Sequence, residues 1–434
     1  MPVTDSLQFR IDTLKYSYSD SKKQFYIVNA TGDSIKWSIF FEGDWINAEP
    51  SSGAIAIGDS TKVEVTVMRA GLAEGEYAGL VSVLAKRRTY ILPVVMSVYL
   101  NAVKPLDISI KDAEFSKQLN KIVAVDSQSN EAAIIDPETG TLNRISLSYP
   151  PICVSVSPDG MHAAVGHNGY VSYINLTTAS VETVYPFISD EYRYISDIVL
   201  AGNGYVYVLP LFNQFYYPPV RVLCINLSNA TVTQNTGYQI LYRSKGRLHP
   251  SGMSIYVLDY SGISPRDLRK LSISGGTAAY LYDSPYHGDY GMADPICFYG
   301  DSTKIVTGGT VFRTSDTQSQ DMIYYGAFSH YISSMVQSCL YKKILSTSGY
   351  FIYPEMCRDT LIYIYDDKYL GLDTTICLPL VRINDKYYRC KGDYVFLNAD
   401  DSRYYAVVDA DSGSALPRFG VVSFSLPDNK PLVK

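Results

Sequence analysis

Residues 152–187 read ICVSVSPDGMHAAVGHNGYVSYINLTTASVETVYPF. A strand runs into a Pro-Asp-Gly turn at 158–160, a second strand meets an Asn-Gly turn at 168–169, and two more strands follow across another turn. Tight turns of these types join antiparallel neighbours, so the stretch predicts one four-stranded sheet.

The same order recurs on both sides of it. Upstream lies FSKQLNKIVAVDSQSNEAAIIDPETGTLNRISL at 115–147. Downstream come YISDIVLAGNGYVYVLP (194–210) with VRVLCINLSNATVTQ (220–234), RLHPSGMSIYVLDY (247–260) with RKLSISGGTAAYLY (269–282), and PICFYGDSTKIVTGG (295–309) with MIYYGAFSH (322–330). Residues 342–380 form a further unit, and YVFLNADDSRYYAVVDA (394–410) with RFGVVSFSLP (418–427) the last. Four strands every about 40–50 residues is the period of propeller blades. The expectation is a seven-bladed β-propeller over 105–430. Its last unit shows three strands while LDISI at 106–110 stands unused, and pairing the two would close the ring and remove a free sheet edge. Over 105–430 the architecture and the SPDG turn resemble propellers of the YVTN or lactonase-like kind. No active-site motif of that family is present, blades three to five carry long insertions, and the repeats are weakly alike.

Ahead of the repeats, short alternating runs such as QFYIVNATGDSIKWSIFF, TKVEVTVMRA and TYILPVVMSVYL are divided by turn signals, with no helical period. This is the pattern of an immunoglobulin-like β-sandwich over 1–101. Within it, DWINAEPSSGAIAIGDSTKVEVTV and GLAEGEYAGLVSV resemble the BACON domain across about residues 6 to 101. That resemblance implies an exported protein of Bacteroidetes, with carbohydrate or mucin binding or a spacer role. Trp37 and Trp45, the only two Trp, both fall here; they read as core residues first and as a sugar platform second.

Composition agrees with an all-β chain of two domains. The 434 residues exceed a single core, 47% are hydrophobic and 18% charged, and 39 Tyr suit half-wet strands. A net charge of −6 offers no basic field for phosphates, so no nucleic acid partner is expected. No run reaches the ~18 apolar residues of a membrane span. A leader or lipidation signal ahead of Met1 would be compatible with the sequence, and the expected location is the cell surface, periplasm or exterior. Seven Cys show no CxxC spacing, and each reads as a small core residue; Cys153 and Cys297 occupy matching places in two repeats.

No GxSxG elbow, Walker loop, HExxH helix or EF-hand is present, and neither a metal nor a cofactor is expected. The five His (162, 167, 249, 287 and 330) share no helical spacing. Asp followed by Ser or Thr and an aliphatic, small or Thr residue occurs at Ser6, Thr13, Ser34, Ser60, Ser302, Thr360 and Thr374, the acceptor pattern of O-glycosylation in Bacteroidetes. Insertions carry more information. Loops joining the second and third strands of a blade, and loops joining blades, open on one face. LFNQFYYPP (211–219), DYSGISPRD (259–267), TVFRTSDTQSQ (310–320) and SGSALPRF (412–419) are read as the former, SDEYRYI (189–195) and YDSPYHGDYGMADP (282–295) as the latter. Tyr192, Arg193, Phe215, Tyr216, Tyr217, Tyr286, His287, Tyr290, Phe312, Arg313 and Arg418 are then expected around one channel mouth as ligand contacts. The alternative is that these rings hold the loops down by packing on each other. The expectation is a monomeric, non-catalytic binding protein for glycan, mucin or a protein. The rivals are a lactonase-like or lyase-like enzyme using His287 and acids, and an adhesion or spacer protein without a small ligand.

Overall fold

In the first hundred residues the alternation of apolar and polar residues becomes an alternation of burial. Lys22–Val28, Ile35–Glu42 and Ser60–Val67 each turn every second side chain inward. One sheet runs Gln8–Phe9, Lys22–Val28, Ser60–Val67, Ile46–Glu49. The other runs Leu14–Tyr16, Arg88–Val98, Gly75–Ala85, Ile35–Glu42, Ser52–Ile55. Their inner faces share one core that includes Phe25, Val63, Val65, Val81 and Val94. Trp37 and Trp45, 4% and 6% exposed, lie in this core. The indole of Trp45 explains the glycine of the GEYAG run: a Cβ on Gly79 would stand 2.5 Å from the Glu42 carbonyl oxygen and 3.0 Å from the Trp45 ring.

The computed structural model describes all residues except 1–7, 10–12, 17–20, 70–71, 73–74, 99–102, 127, 190, 213–219, 236–238, 241–242, 260–265, 353–354, 380, 384–385, 411–417 and 426–434. The chain separates into two compact units, Met1–Ala102 and Val103–Lys434. The second holds, among the described residues, seven four-stranded antiparallel sheets and a two-stranded one. The first sheet comprises Ile110–Ser116, Lys121–Asp126, Glu131–Ile135 and Leu142–Ser146. The next five follow in chain order, beginning at Pro151–Val156, Tyr192–Leu200, Lys245–Leu248, Ile296–Phe298 and Ile332–Ser338. In the seventh, Cys390–Leu397, Arg403–Ala410 and Phe419–Ser425 are completed by Val103–Leu106 from the other end of the unit. The closing strand is therefore Val103–Leu106, and the rest of the LDISI string connects to or begins the first sheet.

The first strands of successive sheets lie side by side, from Ile110–Ser116 round to Cys390–Leu397. A cluster containing Ile110, Ile122, Ala124, Phe396, Tyr405 and Val421 joins the seventh sheet back to the first. Burial falls from the inside out. Second strands such as Lys121–Asp126 and Ser254–Leu258 are buried on both faces, which is why they read as unbroken apolar runs, whereas the fourth strands Val232–Gln234 and Leu372–Cys377 are mostly exposed.

One turn repeats between first and second strands. In SPDG, HPSG, YGDS and NADD the fourth residue (Gly160, Gly252, Ser302, Asp401) is left-handed, and its N–H donates to the first residue's carbonyl. Asp159, Asp301 and Asp400 each accept the N–H two residues on. The sequences differ while the turn geometry is kept, so the repeats look weakly alike.

Cys153, Cys224 and Cys390 are buried as expected of core thiols, but Cys339 and Cys377 are exposed. No helix among the described residues is long and apolar enough to cross a membrane.

Candidate functional site

Strand direction sets which loops share a face. Residues 310–320 do not join second and third strands: Lys304–Thr307 turns into Thr310–Arg313 through Gly308-Gly309, and 314–323 leads on to Tyr324–Ala327. Arg313 thus lies at the end opposite the long-loop mouth, its guanidinium 5.6 Å from the Tyr325 ring centroid. Phe215, Tyr216 and Tyr217 lie outside the described residues.

Of the remaining expected aromatic contacts, Tyr192 and Phe312 are buried, while Tyr286 and Tyr290 are half-buried and pack on other rings. Tyr192 is 3% exposed, and its hydroxyl accepts the Arg221 N–H at 3.2 Å. Phe312 is fully buried. Tyr290 stacks on Tyr324 at 3.9 Å and meets Tyr286 edge-on at 4.7 Å, while the Tyr286 hydroxyl accepts the Tyr324 N–H. Each such ring pair adds about 0.5–1.5 kcal/mol beyond burial, enough to hold residues 284–295 against the fifth sheet. Arg418 forks onto Asp409 at 2.7 and 2.5 Å. Arg193 is exposed, and His287, 61% exposed, holds Nδ1 3.2 Å from Asp267 Oδ2. Burial, with Asp283 nearby, pushes the Asp267 carboxyl up to about 6.

The richer constellation lies on the inner strands. Each turns one backbone edge away from its own sheet, and an unpaired N–H there costs stability unless it finds an acceptor. The chain supplies acceptors from the preceding sheet. Asp112 Oδ2 accepts the Val154 N–H at 2.9 Å, Glu114 Oε2 the Val156 N–H at 2.6 Å, and Ser155 Oγ the Leu200 N–H at 3.1 Å. Asp197 Oδ2 accepts the Gly246 N–H at 2.9 Å, and Ser334 Oγ the Val395 N–H at 3.1 Å. The polar residues that line the channel are therefore the ones that lace the sheets together.

Their remaining atoms face one another. Arg247 Nη1 donates to the Gly246 carbonyl at 2.9 Å and to Asp197 Oδ2 at 3.3 Å, and Lys245 Nζ donates to the Ser196 carbonyl at 3.0 Å. Burial works against the charge of Arg247, but Asp197, Glu114 and Asp112 outweigh it and hold the guanidinium ionised. Burial raises the carboxyls of Asp112 and Asp294 above the usual range, and pushes Glu114 up to about 7 although Arg247 opposes it. Asp393 is pushed up to about 6 by burial, against Arg358 at 2.6 Å.

Beside this cluster a cleft of about 340 Å³ is lined by Glu114, Val156, Pro158, Leu200, Arg247 and Pro250, among others. These sit where the inner strands run into the SPDG and HPSG turns, so the cleft opens at the short-turn end, away from the long loops. Sequence reasoning missed it because Asp112, Glu114, Asp197, Lys245 and Arg247 are far apart in the chain and form no motif. The available signal was charge within first strands, as in SDIVL and KGRL. Among the described residues no group of three or more His, Cys, Asp or Glu is placed to hold a metal ion.

No protein-family model matches the sequence, and neither does any curated protein. Solved structures do resemble it. Hydrazine synthase of Kuenenia stuttgartiensis matches with a TM-score of 0.51 and 12% identity, over 76% of this chain and 98% of that one. The Cps50 (Swd1) β-propeller domain of Myceliophteria thermophila matches with a TM-score of 0.54 and 10% identity, over 75% and 100%. At such identities the likeness bears on the fold alone: this all-β chain is similar to β-propeller domains.

Proposed function

We propose that the chain is an exported, non-catalytic binding protein: a seven-bladed propeller preceded by an immunoglobulin-like, BACON-like module, with a glycan or glycoprotein as ligand. One observation carries the reading. Glu114 and Arg247 converge from different blades beside an open cleft, each with one end anchored to backbone. Groups held this way are pre-organised to recognise a polar ligand. The BACON-like motifs support export and carbohydrate as the ligand class. The test is a screen of the intact chain against an array of glycans and mucins. Saturable binding supports the reading, and a blank array together with blank mucins refutes it.

A second reading is favoured by one feature of the long-loop face. There, Asp267 orients the exposed His287 in the way a carboxylate orients a general base, which fits a hydrolase of the lactonase type. Turnover of simple lactones, lost in His287→Ala, would replace the first reading with this one.

A further inference from the structure

Glu114 and Arg247 are each half engaged. Glu114 gives Oε2 to the Val156 N–H, and its Oε1 has no hydrogen bond among the described residues. Arg247 uses Nη1 on Asp197 and Gly246 and leaves Nη2 and Nε unengaged among them, with a third of its side chain (33%) exposed. The two side chains attract one another but form no ion pair within 4.0 Å. Two open hydrogen-bonding groups of opposite kind thus flank one space, an acceptor on one side and a planar donor fork on the other. We propose that the cleft binds one uncharged sugar ring through two hydroxyls on neighbouring carbons, which donate to Glu114 and accept from Arg247. This rests on the reading of the protein as a glycan binder and adds the place and the chemistry.

Charge decides the ligand's sign. Asp112, Asp197, Asp294 and Glu114 surround Arg247 and oppose an anion, while Arg247 presents only donors to the cleft and has no acceptor to offer a cation. A neutral polyol meets neither penalty. Its hydroxyls suit the pair because each serves as donor and acceptor at once, and bonds to an ionised partner are the strong ones. Val156, Pro158, Leu248 and Pro250 line the cleft with apolar side chains for the C–H face of a ring. At about 340 Å³ the cleft is more than twice the ~150 Å³ cavity that takes a benzene ring. A single hexose, with a dozen non-hydrogen atoms, therefore fits it.

The experiment uses the intact chain and the methyl glycosides of glucose, galactose and mannose. Binding is followed by saturation-transfer NMR and calorimetry at pH 8. The inference expects at least one glycoside to bind, with affinity falling tenfold or more in Glu114→Gln and in Arg247→Lys. Deoxy analogues lacking one of the two hydroxyls should lose as much on the unaltered protein, an arm independent of whether a variant folds. Array glycans that bind the unaltered chain and both folded variants equally would overturn the cleft and leave the glycan reading standing. No binding by array or glycoside overturns both. Tenfold tighter binding of methyl glucuronide than of methyl glucoside overturns the neutral-ligand assignment.

Discussion

Replacing Glu114 by Gln removes one titrating group from the channel while keeping a carbonyl oxygen for the Val156 N–H, which Glu114 accepts at 2.6 Å. Burial moves this carboxyl from 4.5 to about 7 in the folded chain. Below pH 4.5 it is protonated folded or unfolded and contributes no pH dependence. Between 4.5 and about 7 the unfolded chain ionises while the folded chain keeps its proton, so stability falls as pH rises. At 1.36 kcal/mol per pH unit the loss reaches about 3 kcal/mol by pH 8, and water in the cleft reduces this to about 2. Above pH 7 both states are ionised and the loss is constant. Glu114→Gln is therefore expected to match the unaltered protein at about pH 3.5, where both states are protonated, and to exceed it by about 2 kcal/mol at pH 8. The carboxyls of Asp112, Asp294 and Asp393 titrate in both proteins and largely cancel in the comparison. Urea unfolding should be followed by near-UV circular dichroism of the tyrosines, because both Trp lie in residues 1–102 and their fluorescence follows the other unit. Parallel stability curves from pH 4 to 8 would refute the argument and leave Glu114 exposed to bulk water in effect.

Three further substitutions test the packing. Leu106→Ala removes a fully buried side chain from the closing strand and is expected to cost about 2–4 kcal/mol in the propeller's unfolding transition; an unchanged transition would rule out closure from both chain ends as a source of stability. Asp321 accepts from Tyr256, Tyr282, Ser315, Met322 and the buried Lys270, so Asp321→Ala strands a lysine and should cost about 3–5 kcal/mol, read by calorimetry. Gly79→Ala pushes a methyl against the Glu42 carbonyl and the Trp45 ring and should lower the stability of the unit Met1–Ala102 by about 1–3 kcal/mol, with Trp fluorescence as the probe; an effect below 0.5 kcal/mol would mean that the ring moves aside freely.

The alternation in the first hundred residues, the turn signals and the four-strand repeat were readable from the chain alone. Each depends on neighbours within a few residues, where the pleat and the left-handed turn impose their periods directly. The repeat survived poor sequence likeness because SPDG, HPSG, YGDS and NADD keep one geometry with different letters. Loop placement was half legible. In TVFRTSDTQSQ the apolar TVFR is itself a strand, joined to the one before it by the two-residue Gly308-Gly309 turn, so the long run after it connects the third and fourth strands. The tyrosines of the loops can be named from the sequence, but whether a ring faces solvent or another ring depends on partners such as Tyr324, which the loop's own sequence does not contain. The channel belongs wholly to tertiary structure. Glu114 and Arg247 stand on different sheets, and their meeting follows from ring closure. The shift in Glu114 comes from burial by the whole assembly, which no local pattern encodes.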